Sequence, residues 1–205
     1  MKGNMKKLVL FVVIATIAIF TVVAMASAGD NLQKAIRGQY AATGGGTCLV
    51  APNGFDNLVP KPLPPEVGVF GLMTFTVEAV FTFTRDGKGH VERTCPTIHH
   101  AGNDFPLPYP FATIAEDSWE FTYEVETDGS ITLTQVPGSH SGKFISGLLK
   151  DFPYINEGRN RRGKVSPDGK TIILNGGSPD FVTNSEGGTF QMICNDSAVL
   201  IWQHN

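Results

Sequence analysis

The stretch WEFTYEVETDGSITLT, Trp119 to Thr134, decides the class of fold. Trp119, Phe121, Tyr123 and Val125 alternate with Glu120, Thr122, Glu124 and Glu126. A period of two, apolar against polar, belongs to a strand with one buried face. Asp128-Gly129 supplies a tight turn, after which Ile131 and Leu133 alternate back against Thr132 and Thr134.

The same pattern repeats on both sides. VEAVFTFT, Val77 to Thr84, runs into the turn RDGKG and returns through His90 to Thr94. GKVSPDGKTIIL, Gly163 to Leu174, turns at Pro167-Asp168-Gly169. TFQMICNDSAVLIWQ, Thr189 to Gln203, reads as a last hairpin with its turn at Asn195-Asp196. The Asp-Gly pairs at 86, 128 and 168 are too few, and their surroundings too unlike, for a propeller repeat. Helix signals are scarce. Asp30-Asn31-Leu32-Gln33 has the form of a capping box and predicts a short helix through Ile36, ended by Gly38. Two loops, Ala51 to Pro65 and Asn103 to Pro110, are too rich in proline to be central strands.

Residues 1–28 stand apart. Lys2, Lys6 and Lys7 precede an apolar run from Leu8 to Met25, and Ala26-Ser27-Ala28 follows. This is the pattern of a cleaved secretory signal, so the expected product is an exported domain, 29–205, periplasmic or extracellular. With the signal removed, no stable membrane span remains. The remaining chain carries 13 basic against 19 acidic side chains, a net charge of −6. That balance gives no electrostatic reason to bind nucleic acid. The one basic knot, Arg159, Arg161, Arg162 and Lys164, reads as a solvated loop or strand edge.

Many antiparallel strands leave edges that an exported protein must hide, and closing the sheet hides them all. The expected fold is an all-β, antiparallel up-and-down barrel of about eight to ten strands. In such a barrel the first strand meets the last. Of Cys48, Cys95 and Cys194, the pair Cys48–Cys194 joins the two ends and is the favoured disulfide. Cys48–Cys95 and Cys95–Cys194 stay open as alternatives. Gly44-Gly45-Gly46 lacks the Lys-Ser/Thr of a phosphate loop and reads as a bend or bulge in a strand.

Gly38-Gln39-Tyr40, after a short helical turn, resembles the G-x-W opening of lipocalins and related calycin barrels, with tyrosine in place of tryptophan. The glycine-tyrosine strand with Gly46-Thr47-Cys48 also resembles small exported bacterial proteins of unknown function. The lipocalin resemblance implies a barrel that binds a small apolar or amphipathic molecule without transforming it. Tyr40, Phe81, Phe83, Trp119, Phe121 and Tyr123 are the expected ligand-facing residues, or else the filling of a closed core.

No motif for a cofactor, a metal or catalysis rises above these readings. HVERTCPTIHH, His90 to His100, holds imidazoles and a thiol, but neighbouring histidines on a strand point to opposite faces. GSHSG, Gly138 to Gly142, has histidine where a nucleophile elbow has serine. Glu120, Glu124 and Glu126 share the solvent face. Two further functions remain: a structural or protein-interaction domain with a filled core, and a small-barrel cyclase or isomerase. The last needs a polar residue buried in an apolar pocket, with His140 or Glu78 as first suspects.

Overall fold

The computed structural model describes residues 32–51, 53–57, 59–61, 71–100, 110–176, 180–184 and 189–204. The expected signal, Asp30 of the expected cap, residues 52, 58 and 62–65 of the first proline-rich loop and residues 103–109 of the second lie outside these residues. Residues 32–35 form one helical turn, closed by a hydrogen bond from Ile36 N–H to Leu32 O of 3.2 Å. Everything else regular is strand.

In chain order the strands are β1 (Gly38–Ala51), β2 (Phe55–Asp56), β3 (Val59–Pro60), β4 (Gly71–Phe83), β5 (Lys88–His100), β6 (Phe111–Val125) and β7 (Ser130–Gln135). They continue as β8 (Ser141–Gly147), β9 (Pro153–Glu157), β10 (Asn160–Val165), β11 (Thr171–Gly176), β12 (Asp180–Asn184) and β13 (Thr189–Trp202). Every pairing is antiparallel. Apart from the small β2–β3 pair, all belong to one sheet.

That sheet closes on itself. Eight strands form a ring in the order β1-β4-β5-β6-β7-β10-β11-β13, and β13 pairs back onto β1. The wall divides along its length. β6 pairs with β8 through Thr113–Ser118 and with β7 through Phe121–Val125. β13 pairs with β12 through Thr189–Met192 and with β11 through Ser197–Ile201. Five long strands therefore run the full height, with β7, β10 and β11 completing one end and β8, β9 and β12 the other.

The expected turn at Asn195-Asp196 does not form. β13 runs straight through, because Asn195 pairs with Thr47 and Asp196 with Gly46 of β1. Here β13 leaves β12 and takes up β11. The glycines of β1 make this close approach feasible. A Cβ on Gly44 would lie 2.3 Å from Ser197 O, and one on Gly46 2.5 Å from Asn195 O. On the other side, a Cβ on Gly45 would lie 2.6 Å from Phe75 O.

Cys48 and Cys194 stand opposite each other in the β1–β13 ladder and form a disulfide with an S–S distance of 2.03 Å. Cys95 is free and buried. The bridge closes a sequence separation of 146 residues. In the chain-entropy picture a loop of that size is worth about 4–5 kcal/mol. Cys48→Ser is therefore expected to lower unfolding free energy by about 4–5 kcal/mol in urea titration. Reductant should lower the melting temperature of the parent protein and leave the variant unchanged. A parent protein indifferent to reductant would remove the bridge from the account.

Candidate functional site

The inward face of the ring is built by alternation, and it differs at its two ends. In the end completed by β7, β10 and β11, the interior is solid. Tyr40, Phe81, Phe83, Trp119, Phe121 and Tyr123 are each 7% exposed or less. Their rings meet edge to face, with centroids 5.1 Å apart for Phe83–Tyr123 and 5.3 Å for both Tyr40–Phe83 and Phe83–Phe121. The helical turn plugs this end with fully buried Ile36. Tyr40 donates its hydroxyl to Gly169 O at 2.5 Å, and Tyr123 donates to Thr84 O at 2.5 Å, so both tyrosines tie down turns of the closed end. Burial pushes both phenols up to about 12. None of the six expected ligand-facing aromatics lines the interior cavity at the opposite end.

That cavity has a volume of about 410 Å³. Its apolar wall comes from Met73 and Phe75 of β4, Phe144 of β8, Val182 of β12 and Met192 of β13. The Cys48–Cys194 bridge lies in the same wall, and Leu149 and Phe152 of the β8–β9 turn border it. A larger concavity, about 1090 Å³, lies over the outer wall beside exposed Glu78, Glu92 and Val80.

Where the cavity meets the solid core, the interior becomes polar. Asp117 lies two residues before Trp119 on the inward face of β6, and its side chain is wholly buried. Arg93 of β5 grips it with two hydrogen bonds, Nε to Oδ1 at 2.5 Å and a terminal nitrogen to Oδ2 at 2.6 Å. Tyr154 of β9 donates its hydroxyl to Oδ2 at 2.5 Å. His140 Nε2 faces the same oxygen at 3.5 Å, and Arg159 approaches it to 3.9 Å. His140 Nδ1 accepts the Asn156 backbone N–H at 3.2 Å, which puts the ring proton of the neutral imidazole on Nε2, toward Asp117.

Burial alone would raise the Asp117 carboxyl. Arg93, with His140 and Arg159 behind it, outweighs burial and holds the carboxyl well below the usual range. Burial lowers Arg93, but Asp117 overcomes this and raises it. Burial and then Asp117 push the Tyr154 phenol up. Burial lowers Arg159, and the neighbouring Arg93 adds to this.

His99 of β5 also lines the cavity, stacked on Phe111 with ring centroids 4.3 Å apart. Its Nε2 meets the Thr113 hydroxyl at 3.1 Å, and burial followed by His100 lowers its pKa to about 4. His100 faces the other way and meets the Thr74 hydroxyl at 3.0 Å. Among the described residues, no three of His, Cys, Asp or Glu converge as a metal set would.

Of the two polar suspects, His140 is buried at the waist while Glu78 is exposed on the outer face. The solvated reading of the basic knot fits Arg162 and Lys164 but not Arg159, which is 3% exposed. Nor does it fit Arg161, which turns inward to Asp196 at 3.3 Å and Asp180 at 3.7 Å. Asp117 was visible in principle. Stepping back by twos from Trp119 gives Asp117, Ala115 and Thr113, an acid on the apolar face.

Asp117→Asn leaves Arg93 and Arg159 without their shared counter-charge. Breaking one partner out of a buried ionic cluster costs about 3–5 kcal/mol. A urea titration should show that loss, whereas a change below about 1 kcal/mol would be that of a solvated pair. The sign for His99 is also fixed. Its folded pKa, about 4, lies below the unfolded value near 6.5, so the unfolded state binds the extra proton between these values. Stability should fall as pH drops from 6.5 toward 4, and His99→Gln should flatten that slope; an unchanged slope would show His99 protonating freely in the fold.

No protein-family model matches this chain, and no curated protein matches it.

Proposed function

We propose that this chain is an exported β-barrel of the up-and-down, lipocalin-like kind that binds a small apolar or amphipathic molecule without transforming it. The supporting observation is an apolar cavity, about 410 Å³, set over a floor of buried charged groups. That volume falls in the range of small-molecule pockets, about 300–1,000 Å³. Met73 and Met192 belong to one apolar cluster in this wall, and flexible thioethers adapt to varied apolar shapes. We place the ligand here, among Met73, Phe75, Phe144, Val182 and Met192. Tyr40, Phe81, Phe83, Trp119, Phe121 and Tyr123 serve as the core that holds the floor. The disulfide fits an oxidising, exported setting. Among the described residues, no helix is long and apolar enough to cross a membrane.

The cyclase or isomerase reading draws support from the Tyr154–Asp117–His140 group beside the cavity. Binding is favoured over it for a physical reason. Both oxygens of Asp117 are occupied by Arg93 and Tyr154, and a carboxylate held so low is a poor base. Tyr154, with its phenol pushed up and its proton committed to Asp117, is a poor acid.

Nile red, an uncharged apolar dye, should bind the oxidised protein at one molecule per chain. Val182→Phe, which fills the cavity, should abolish binding. Phe81→Ala, in the solid end, should cost about 3–5 kcal/mol of stability and keep the dye. Dye retained by Val182→Phe and lost by Phe81→Ala would place the ligand among the aromatics instead.

A further inference from the structure

Among the described residues, no anion is hydrogen-bonded to the buried cation Arg159. It follows β9, and its side chain is 4% exposed. Its closest carboxylate oxygen, Asp117 Oδ2 at 3.9 Å, is beyond hydrogen-bond reach and already receives Arg93 and Tyr154. Among the described residues its Nε has no partner. Arg161, two residues on, differs: it lies 3.3 Å from Asp196 and 3.7 Å from Asp180. Asn156, 1% exposed and on the same cavity wall, also holds an unpartnered carboxamide oxygen.

The backbone of Arg159 is fixed in place. Its N–H donates to Gln135 Oε1 at 2.9 Å, and its carbonyl accepts Gln135 N–H at 3.0 Å. Gln135 Nε2 donates in turn to Asn156 O at 2.8 Å. A buried guanidinium with an unmet N–H is costly, and with its backbone already fixed it is preorganised for a partner.

We infer that Arg159 receives the carboxylate of an amphipathic carboxylic acid whose tail fills the apolar cavity. This rests on the binding reading above. Arg93 and Tyr154 occupy both oxygens of Asp117, and Arg161 takes Asp180 and Asp196, so the Nε–H of Arg159 is left for an acceptor that the ligand brings. A phosphate head, nearer two negative charges, meets stronger repulsion from Asp117 and the cavity-lining Asp180 than a monoanion does. The planar fork of arginine also matches a carboxylate. Asn156 can turn its amide N–H toward the same head.

Calorimetric titration of the oxidised protein with decanoate and with decanol separates head from tail. Decanoate should bind at least about tenfold tighter, the scale of one charge-assisted hydrogen bond. Arg159→Gln should erase that preference. Decanoate and decanol binding alike to the parent protein, or a preference that survives Arg159→Gln, would overturn the headgroup assignment while the cavity reading stands. Binding of neither would overturn both. The comparison on the parent protein decides the matter even where the variant does not fold.

Discussion

Closure of the ring depends on β1 lying between β4 and β13 along its whole length. Its register with β13 runs unbroken from Tyr40–Trp202 to Ala51–Gln191. Its register with β4 runs from Gly38–Phe83 to Val50–Gly71. Two backbones approach Gly44, Gly45 and Gly46 too closely for any Cβ. The Cys48–Cys194 bridge sits in the same ladder, just past those glycines. Loss of this junction would free one edge on β1 and one on β13 and open the ring, while β11 and β12 stayed paired to β13. The closed wall in turn gives the interior a fixed inside, so that alternation on five long strands becomes a lining.

That lining changes character midway, and the change accounts for the cavity. Inward positions of β4 and β6 in the plugged end carry Phe81, Phe83, Trp119, Phe121 and Tyr123, whose rings fill the space. Toward the other end the same positions carry Ala115, Thr113, Phe75 and Met73, so that Phe75 is the one ring of these four and the others are smaller or more flexible. Arg93 and Asp117 mark the boundary. A buried ion pair is rarely a gain in stability over apolar packing. This pair stands between a filled core and an apolar cavity, where the head of the proposed ligand would meet it.

Much of the architecture was legible in the chain. The Asp-Gly turns at 86, 128 and 168 carry glycines at φ of +77°, +80° and +70°, as tight hairpins require. Cys48 and Cys194 were readable as a link between first and last strands. Asn195-Asp196 misled, because two turn-forming residues in a row are also what a strand uses when it changes partner beside glycines. The site was harder to read. Arg159 and Arg161 look like solvated charge in a basic run, since burial of a cation depends on a carboxylate 42 residues away, Asp117. Aromatics on strands could not be divided between filling and lining, because that depends on which end of the ring each occupies.

One end of the ring is filled, and the proposed ligand occupies the cavity at the other. The chain's only methionines beyond residue 25 are Met73 and Met192, and both line the cavity. Methyl-labelled methionine therefore places two NMR reporters in its wall and none in the aromatic core. Titration with decanol should shift both methyl signals and saturate at one molecule per chain. Signals that stay fixed while decanol binds, or that never respond, would contradict that occupancy.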